Sequence, residues 1–348
     1  MQRLNQTVKK SGIALLALAL ASGAVVYASA PPIPPANDAS LTSAQSGQLK
    51  AYVQYWCNRL KATKSHAEMV HAANRLLRPL KTPAHQPSAV FSYDYGNIIS
   101  HALRPMLNDP KRQLVAAVVL GRVNDLSTQS SLEMALKSDN AGVRYWGAVG
   151  LTRILPQLQS IPPAYQEAED KLVTALKVEK SPLVAAKIAS ALAQFSPVPA
   201  GVFSSLDKVL GAQASLFAQR PPSTVAQAGA LAQAMMEVLD AHVQPSPAEK
   251  TSAATHLTQL LSFTCQYWAL KRLDRTQSEL APSAMTNFCN ALNALTGTTD
   301  FTISGLSSSS NKAATLLAVN ELTGSQGQSG TIQKIFPKTP IPPRVGGK

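Results

Sequence analysis

Leu132-Glu133-Met134-Ala135-Leu136-Lys137 recurs forty residues later as Leu172-Val173-Thr174-Ala175-Leu176-Lys177. A weaker copy stands upstream, as Leu103-Arg104-Pro105-Met106-Leu107-Asn108. A turn follows each copy: Asp109-Pro110, then Ser138-Asp139-Asn140, then Lys180-Ser181-Pro182. After each turn comes a second helical stretch with small residues on one face, in which Ala117, Ala148 and Ala189 align at intervals of 31 and 41 residues. A helix–turn–helix unit recurring every ~30–45 residues is the signature of stacked helix pairs. Apolar residues three and four apart give each helix one adhesive face, and a lone hairpin cannot bury both of its faces. Stacking hides the remainder, and small residues let neighbouring helices approach closely.

Composition supports the same reading. The 348 residues are 45% hydrophobic and only 5% aromatic, rich in Ala and Leu, which favours helices over a β-sandwich. The expected fold class is all-α: an α-solenoid of antiparallel helix pairs with disordered N- and C-terminal segments. The middle unit, with Asp139, Val143-Arg144, Gly147-Ala148, Gly150-Leu151 and Ile154, resembles a HEAT repeat. The upstream unit has Arg112-Gln113 and the downstream one Val184-Ala185 where that pattern has Val-Arg, so the resemblance is full over 139–154 and partial over 97–240. It implies a HEAT- or armadillo-like scaffold rather than an enzyme.

Around the repeats the chain divides as follows. Arg3, Lys9 and Lys10 precede an uncharged apolar run, Gly12 to Tyr27, and Ala28-Ser29-Ala30 forms a small-residue cleavage site, so 1–30 reads as a signal peptide. The expected location is therefore periplasmic or extracellular, with an N-terminal anchor if the signal is retained. Residues 31–47 read as a Pro-rich linker and 48–82 as a basic helical pair, with Leu49, Val53, Trp56 and Leu60 on one apolar face. A loop containing Pro83, Pro87 and Gly96 leads to helical repeats over 97–241, then C-terminal helices over 247–296. Gly, Ser, Thr and Pro dominate 297–348, which reads as a mostly disordered basic tail with one short helix, Lys312 to Leu322.

Basic residues number 32 against 19 acidic ones. The excess is concentrated in the first helix pair, where Lys50, Arg59, Lys61, Lys64, Arg75, Arg78 and Lys81 face a single acid, Glu68. Such a patch attracts anions in a salt-dependent way. Nucleic acid is the ordinary partner of so basic a chain, but an export signal argues against it. A protein partner, an anionic envelope polymer and a lipid surface are the expected alternatives.

Chemical motifs are weak. Of three cysteines, Cys57, Cys265 and Cys289, the last two fall on successive expected helices and could pair in an oxidising compartment; no Cys-x-x-Cys occurs. His66 and His71 are five apart, about 140° around a helix, and so poorly placed as joint metal ligands. His66-Ala67-Glu68 fits H-x-E without the P-C-x-x-C that deaminases need. Ser205-Leu206-Asp207-Lys208 fits S-x-x-K and Ser138-Asp139-Asn140 fits S-D-N, but in reversed order and without K-T-G. No catalytic residue, cofactor site or metal site is expected.

Overall fold

Short polar residues and prolines at the turns decide where the helices start. Asn140 Oδ1 accepts from the backbone N–H of Gly142 and Val143. Ser88, Asp274 and Asn311 do the same for their helices. Thr42 with Gln45, and Ser246 with Glu249, form reciprocal capping boxes that satisfy N–H groups otherwise orphaned in the first turn. Pro162, Pro182 and Pro247 occupy first-turn positions, where the missing N–H costs nothing.

The computed structural model describes residues 30–345 apart from 37, 39, 81–86, 308–309 and 326. The expected signal peptide lies outside the described residues but for Ala30. The helices are α1 (Ser43–Ala62), α2 (His66–Leu77), α3 (Ala89–Leu103), α4 (Gln113–Val123), α5 (Gln129–Ala135), α6 (Ala141–Leu158), α7 (Pro162–Val178) and α8 (Pro182–Leu192). They continue as α9 (Val202–Gln219), α10 (Val225–Asp240), α11 (Pro247–Ala269), α12 (Arg275–Thr296), α13 (Lys312–Thr323) and α14 (Thr331–Ile335). Among the described residues there is no β-strand. The protein is all-α.

The helices pack in two rows. In one, α2, α4, α6, α8, α10 and α12 each touch the next. In the other, α1 meets α3, α3 meets the short turn Leu126–Thr128 that leads into α5, and α5, α7, α9, α11 and α13 follow in succession. The two helices of each pair also touch: α1 with α2, α3 with α4, α5 with α6, α7 with α8, α9 with α10 and α11 with α12. Ala117, Ala148 and Ala189 are fully buried on α4, α6 and α8, as their alignment requires. Gly229 of α10 lies so close to α12 that a Cβ there would sit 3.0 Å from Ala284 Cα. Small residues are what let this row close.

Three sequence expectations need correction. The segment Ser92-Tyr93-Asp94-Tyr95-Gly96, expected in a loop, belongs to α3. Tyr95 is buried there and donates its hydroxyl to Leu76 O at 2.7 Å. Gly96 is a site of close approach, since a Cβ would fall 2.7 Å from Ser127 Oγ. Residues 31–47 are not a free linker: α1 already begins at Ser43, and Ser88 N–H donates to Ala36 O at 2.8 Å while Ser88 Oγ donates to Asp38 O at 2.6 Å.

The tail is the third. The helix expected from Lys312 is present as α13, but described residues on either side of it are also folded onto the protein. Phe301, Val319, Ile332 and Val345 are buried. Gln266 of α11 holds the end of the tail through main-chain bonds, donating to Pro343 O and accepting from Val345 N–H at 2.8 Å. Gln266→Ala is expected to cost about 1–2 kcal/mol and to release residues 340–345. Limited proteolysis checks this, since the variant should lose its C-terminal residues well before the wild type does.

Candidate functional site

The apolar face of α1 is as the spacing implied: Leu49, Val53, Trp56 and Leu60 are buried, joined by Tyr52 and Cys57. Tyr52 donates to Arg75 O at 2.7 Å, tying α1 to α2. The Trp56 indole is met edge-on by Tyr55 at 5.0 Å and by His71 at 5.6 Å, and the Arg75 guanidinium lies over it at 5.5 Å. Burial pushes the Tyr52 hydroxyl up, against the opposing pull of the Arg75 and Arg78 charges.

The six described members of the seven basic candidates do not line one cavity. Arg75 and Arg78 line a cavity of about 520 Å³ together with Tyr52, Trp56, Pro79 and residues 30–36. Arg59 lines a second cavity of about 360 Å³ with Trp56, Glu68 and His71, and lies 6.0 Å from the Tyr55 ring. Lys50, Lys61 and Lys64 are exposed and line neither. Lys81 lies outside the described residues. Among the described residues, Lys50, Lys61, Lys64, Arg75 and Arg78 form no ion pair, and Glu68 accepts instead from Thr63 Oγ1. Arg112, which precedes α4, donates to Leu60 O and Lys61 O and pairs with Asp109 at 2.7 Å, so it covers the carbonyl end of α1.

Cys265 and Cys289 are free thiols rather than a bridge. Both are buried on the touching helices α11 and α12, where they fill space as small apolar groups. Burial pushes both thiols up to about 12, with the Cys289 charge adding to the effect on Cys265, so each stays protonated and slow to oxidise. Burial likewise takes Cys57 to about 12.

One polar cluster escaped sequence reasoning. Asp207 of α9 accepts from Ser252 Oγ at 2.6 Å, and its other oxygen lies 2.8 Å from His256 Nδ1, both partners being on α11. The imidazole packs on Gly211, where a Cβ would lie 2.8 Å from Nε2. Among the described residues no hydroxyl or thiol bonds that second ring nitrogen. The nucleophile–base contact of a catalytic triad is missing, and the cluster acts as a clamp between two helices. Nothing in the sequence marks a carboxylate as the partner of groups 45 and 49 residues away. Among the described residues no group of three or more His, Cys, Asp or Glu could hold a metal ion, and no helix is long and apolar enough to cross a membrane.

No family model, curated protein or solved structure matches this chain.

Proposed function

We propose that this chain is an exported, non-enzymatic scaffold: an α-solenoid of antiparallel helix pairs whose helical surface binds another envelope or secreted protein. The observation that carries the reading is the pair of continuous helix rows, in which each pair of helices touches the pairs before and after it. Repeated stacking of this kind produces long surfaces whose contribution is shape rather than chemistry. The basic n-region, apolar run and Ala28-Ser29-Ala30 site support export. The test is a cross-linked pull-down of the tagged protein from its native envelope, washed at low and high salt. A stoichiometric protein partner that survives high salt supports the scaffold, and an empty eluate at both salts overturns it.

A second reading, peripheral binding of an anionic envelope polymer or membrane surface through residues 48–81, is favoured by Lys50, Lys61, Lys64, Arg75 and Arg78, which form no ion pair among the described residues. Under it, reversing Lys50, Lys61, Lys64 and Arg78 to Glu removes roughly 1 kcal/mol or more of attraction per position. Retention in envelope fractions is then expected to fall by tenfold or more, and unchanged retention rejects the second reading.

A further inference from the structure

Pro31-Pro32-Ile33-Pro34-Pro35 lies against the first helix pair and lines a cavity together with Tyr52, Trp56, Arg75, Arg78 and Pro79. Pro34 is buried, and Ile33 and Ala36 pack on the core. Each proline fixes its own φ, and the residue before a proline is driven to extended or polyproline-II backbone. Such a segment has no internal hydrogen bonds, and its prolines offer carbonyl acceptors and no donors.

The groove offers the complementary set. Trp56 Nε1 and Arg75 Nε are buried donors that no acceptor meets at full hydrogen-bond geometry, the indole N–H having the Tyr52 hydroxyl nearby. Buried donors left unmade are costly, so an acceptor placed here is worth more than one at an open surface. Among the described residues no hydrogen bond joins Pro31–Pro35 to the groove; the segment is tied beyond its end, by Ser88 to Ala36 O and Asp38 O and by Gln45 Nε2 to Asp38 Oδ2. It is therefore held by apolar contact and by its tether. The tetrapeptide Pro-Ile-Pro-Pro occurs again at 340–343, where Pro342 and Val345 line a cavity against α11 and α13. This chain thus seats the same proline-rich sequence on helices at both of its ends.

We infer that the aromatic–arginine groove of α1 and α2 is a polyproline-binding site, occupied by the chain's own residues 31–35 and open by exchange to a proline-rich segment of a partner protein. Flat rings that take proline and an indole N–H that reaches a carbonyl are how aromatic-lined grooves recognise this backbone. Arg75, laid over the Trp56 ring, forms part of the groove wall. The inference deepens the protein-binding reading by naming the partner's chemistry, and it rests on that reading only for the partner being a protein.

A tethered segment competes at an effective concentration in the millimolar range, so an outside peptide binds weakly until the tethered copy is disabled. The test uses the full chain, the fluorescent peptide Ala-Pro-Pro-Ile-Pro-Pro-Ala, and anisotropy as the readout. The variant Pro32→Gly, Pro34→Gly, Pro35→Gly is expected to bind the peptide about tenfold tighter than the wild type. Adding Trp56→Phe, which keeps an aromatic ring but removes the donor, is expected to reverse about tenfold of that gain, because a free peptide can bring a carbonyl to the indole N–H that the tethered copy does not reach. A triple variant with unchanged helical circular dichroism that binds no tighter than the wild type overturns the proposal. So does a groove that takes inorganic phosphate but not the peptide, which would mark it as an anion site. If the triple variant loses helicity, the wild-type chain is titrated with millimolar peptide while the Trp56 indole N–H resonance is followed. A saturable shift supports exchange, and no shift overturns it. Failure here leaves the envelope pull-down result standing, so the two readings fail separately.

Discussion

Glu179→Gln and Arg144→Ala are each expected to cost about 3–5 kcal/mol of stability, because each leaves a buried group without its counterpart. Arg144, near the start of α6, meets Glu179, which follows α7, through Nε to Oε2 at 2.7 Å and Nη2 to Oε1 at 2.8 Å. The Glu179 side chain is 1% exposed and that of Arg144 20%. The same guanidinium donates to Ser138 O and Asp139 O, and the same carboxylate accepts from Lys180 N–H and Ser181 N–H. One ion pair thus fastens two successive inter-helix turns together, with nearly every polar atom satisfied. Urea denaturation reads the loss directly; a change below about 1 kcal/mol, the usual value of an exposed pair, would refute the bridging role.

The pair also sets a pH dependence. Burial by itself would raise the Glu179 carboxyl, but the Arg144 bonds and the backbone N–H groups outweigh it, and the net position is below the ordinary 4.5. A carboxylate lowered in the folded state contributes stability that is fully present above its unfolded value and disappears as pH falls through the folded value. The wild type is therefore expected to lose its advantage over Glu179→Gln as pH drops below about 4.5, and to keep it from there to neutrality. A constant gap between the two proteins from pH 7 to pH 3 would contradict this.

Gly121→Leu should be comparably damaging. A Cβ at Gly121 of α4 would lie 2.7 Å from Trp146 O, a backbone atom of α6 that cannot rotate away. From the other side, a Cβ at Gly150 of α6 would lie 2.9 Å from Gly121 Cα. The two glycines meet where α4 and α6 pass, so any side chain forces the helices apart and opens the contacts around them. Overpacking of this kind costs about 1–3 kcal/mol and occasionally more, and a leucine at a backbone-to-backbone contact belongs at or above the top of that range. Gly121→Ala should fall lower, since alanine's better helix propensity returns about 1 kcal/mol. Gly47→Ala is the control: nothing lies within 4 Å of its Cβ position in α1, so it is expected to stabilise by about 0.5–1 kcal/mol. Midpoints of chemical denaturation for the three variants check the order, and a Gly121→Leu protein as stable as the wild type would remove the close-approach argument.

Much of this fold was legible before any coordinates. The copies at Leu132 and Leu172 fall on first helices, α5 and α7, and the aligned alanines fall on second helices, α4, α6 and α8. Misreadings came where local composition and tertiary environment disagree. Tyr93-Asp94-Tyr95-Gly96 looks like a turn because Gly and Asp are poor helix formers, yet a helix persists because Tyr95 is buried against α2 and Gly96 makes room for Ser127. The tail looks unstructured because Gly, Ser and Pro make no periodic face, yet Gln266 supplies the hydrogen bonds that its own backbone lacks. Among the described basic candidates, Arg75 and Arg78 come together at one cavity and the others do not join them, since charge counting says how many cations a helix pair carries and not which way each one faces.

The sequence by itself determined the helical class, the turns after each repeat copy and the small-residue row, because helix periodicity, capping and the breaking effect of proline act over a few neighbouring residues. Only the tertiary structure decided that Arg144 meets Glu179, that Asp207 meets Ser252 and His256, and that Pro31–Pro35 shares a cavity with Trp56 and Arg75. Those partners are 35 to 49 residues apart in the first two cases and on a separate extended segment in the third. Contacts of that kind carry no period in the chain; they exist because stacked helices bring distant side chains into water-poor contact, where a matched charge or donor counts most.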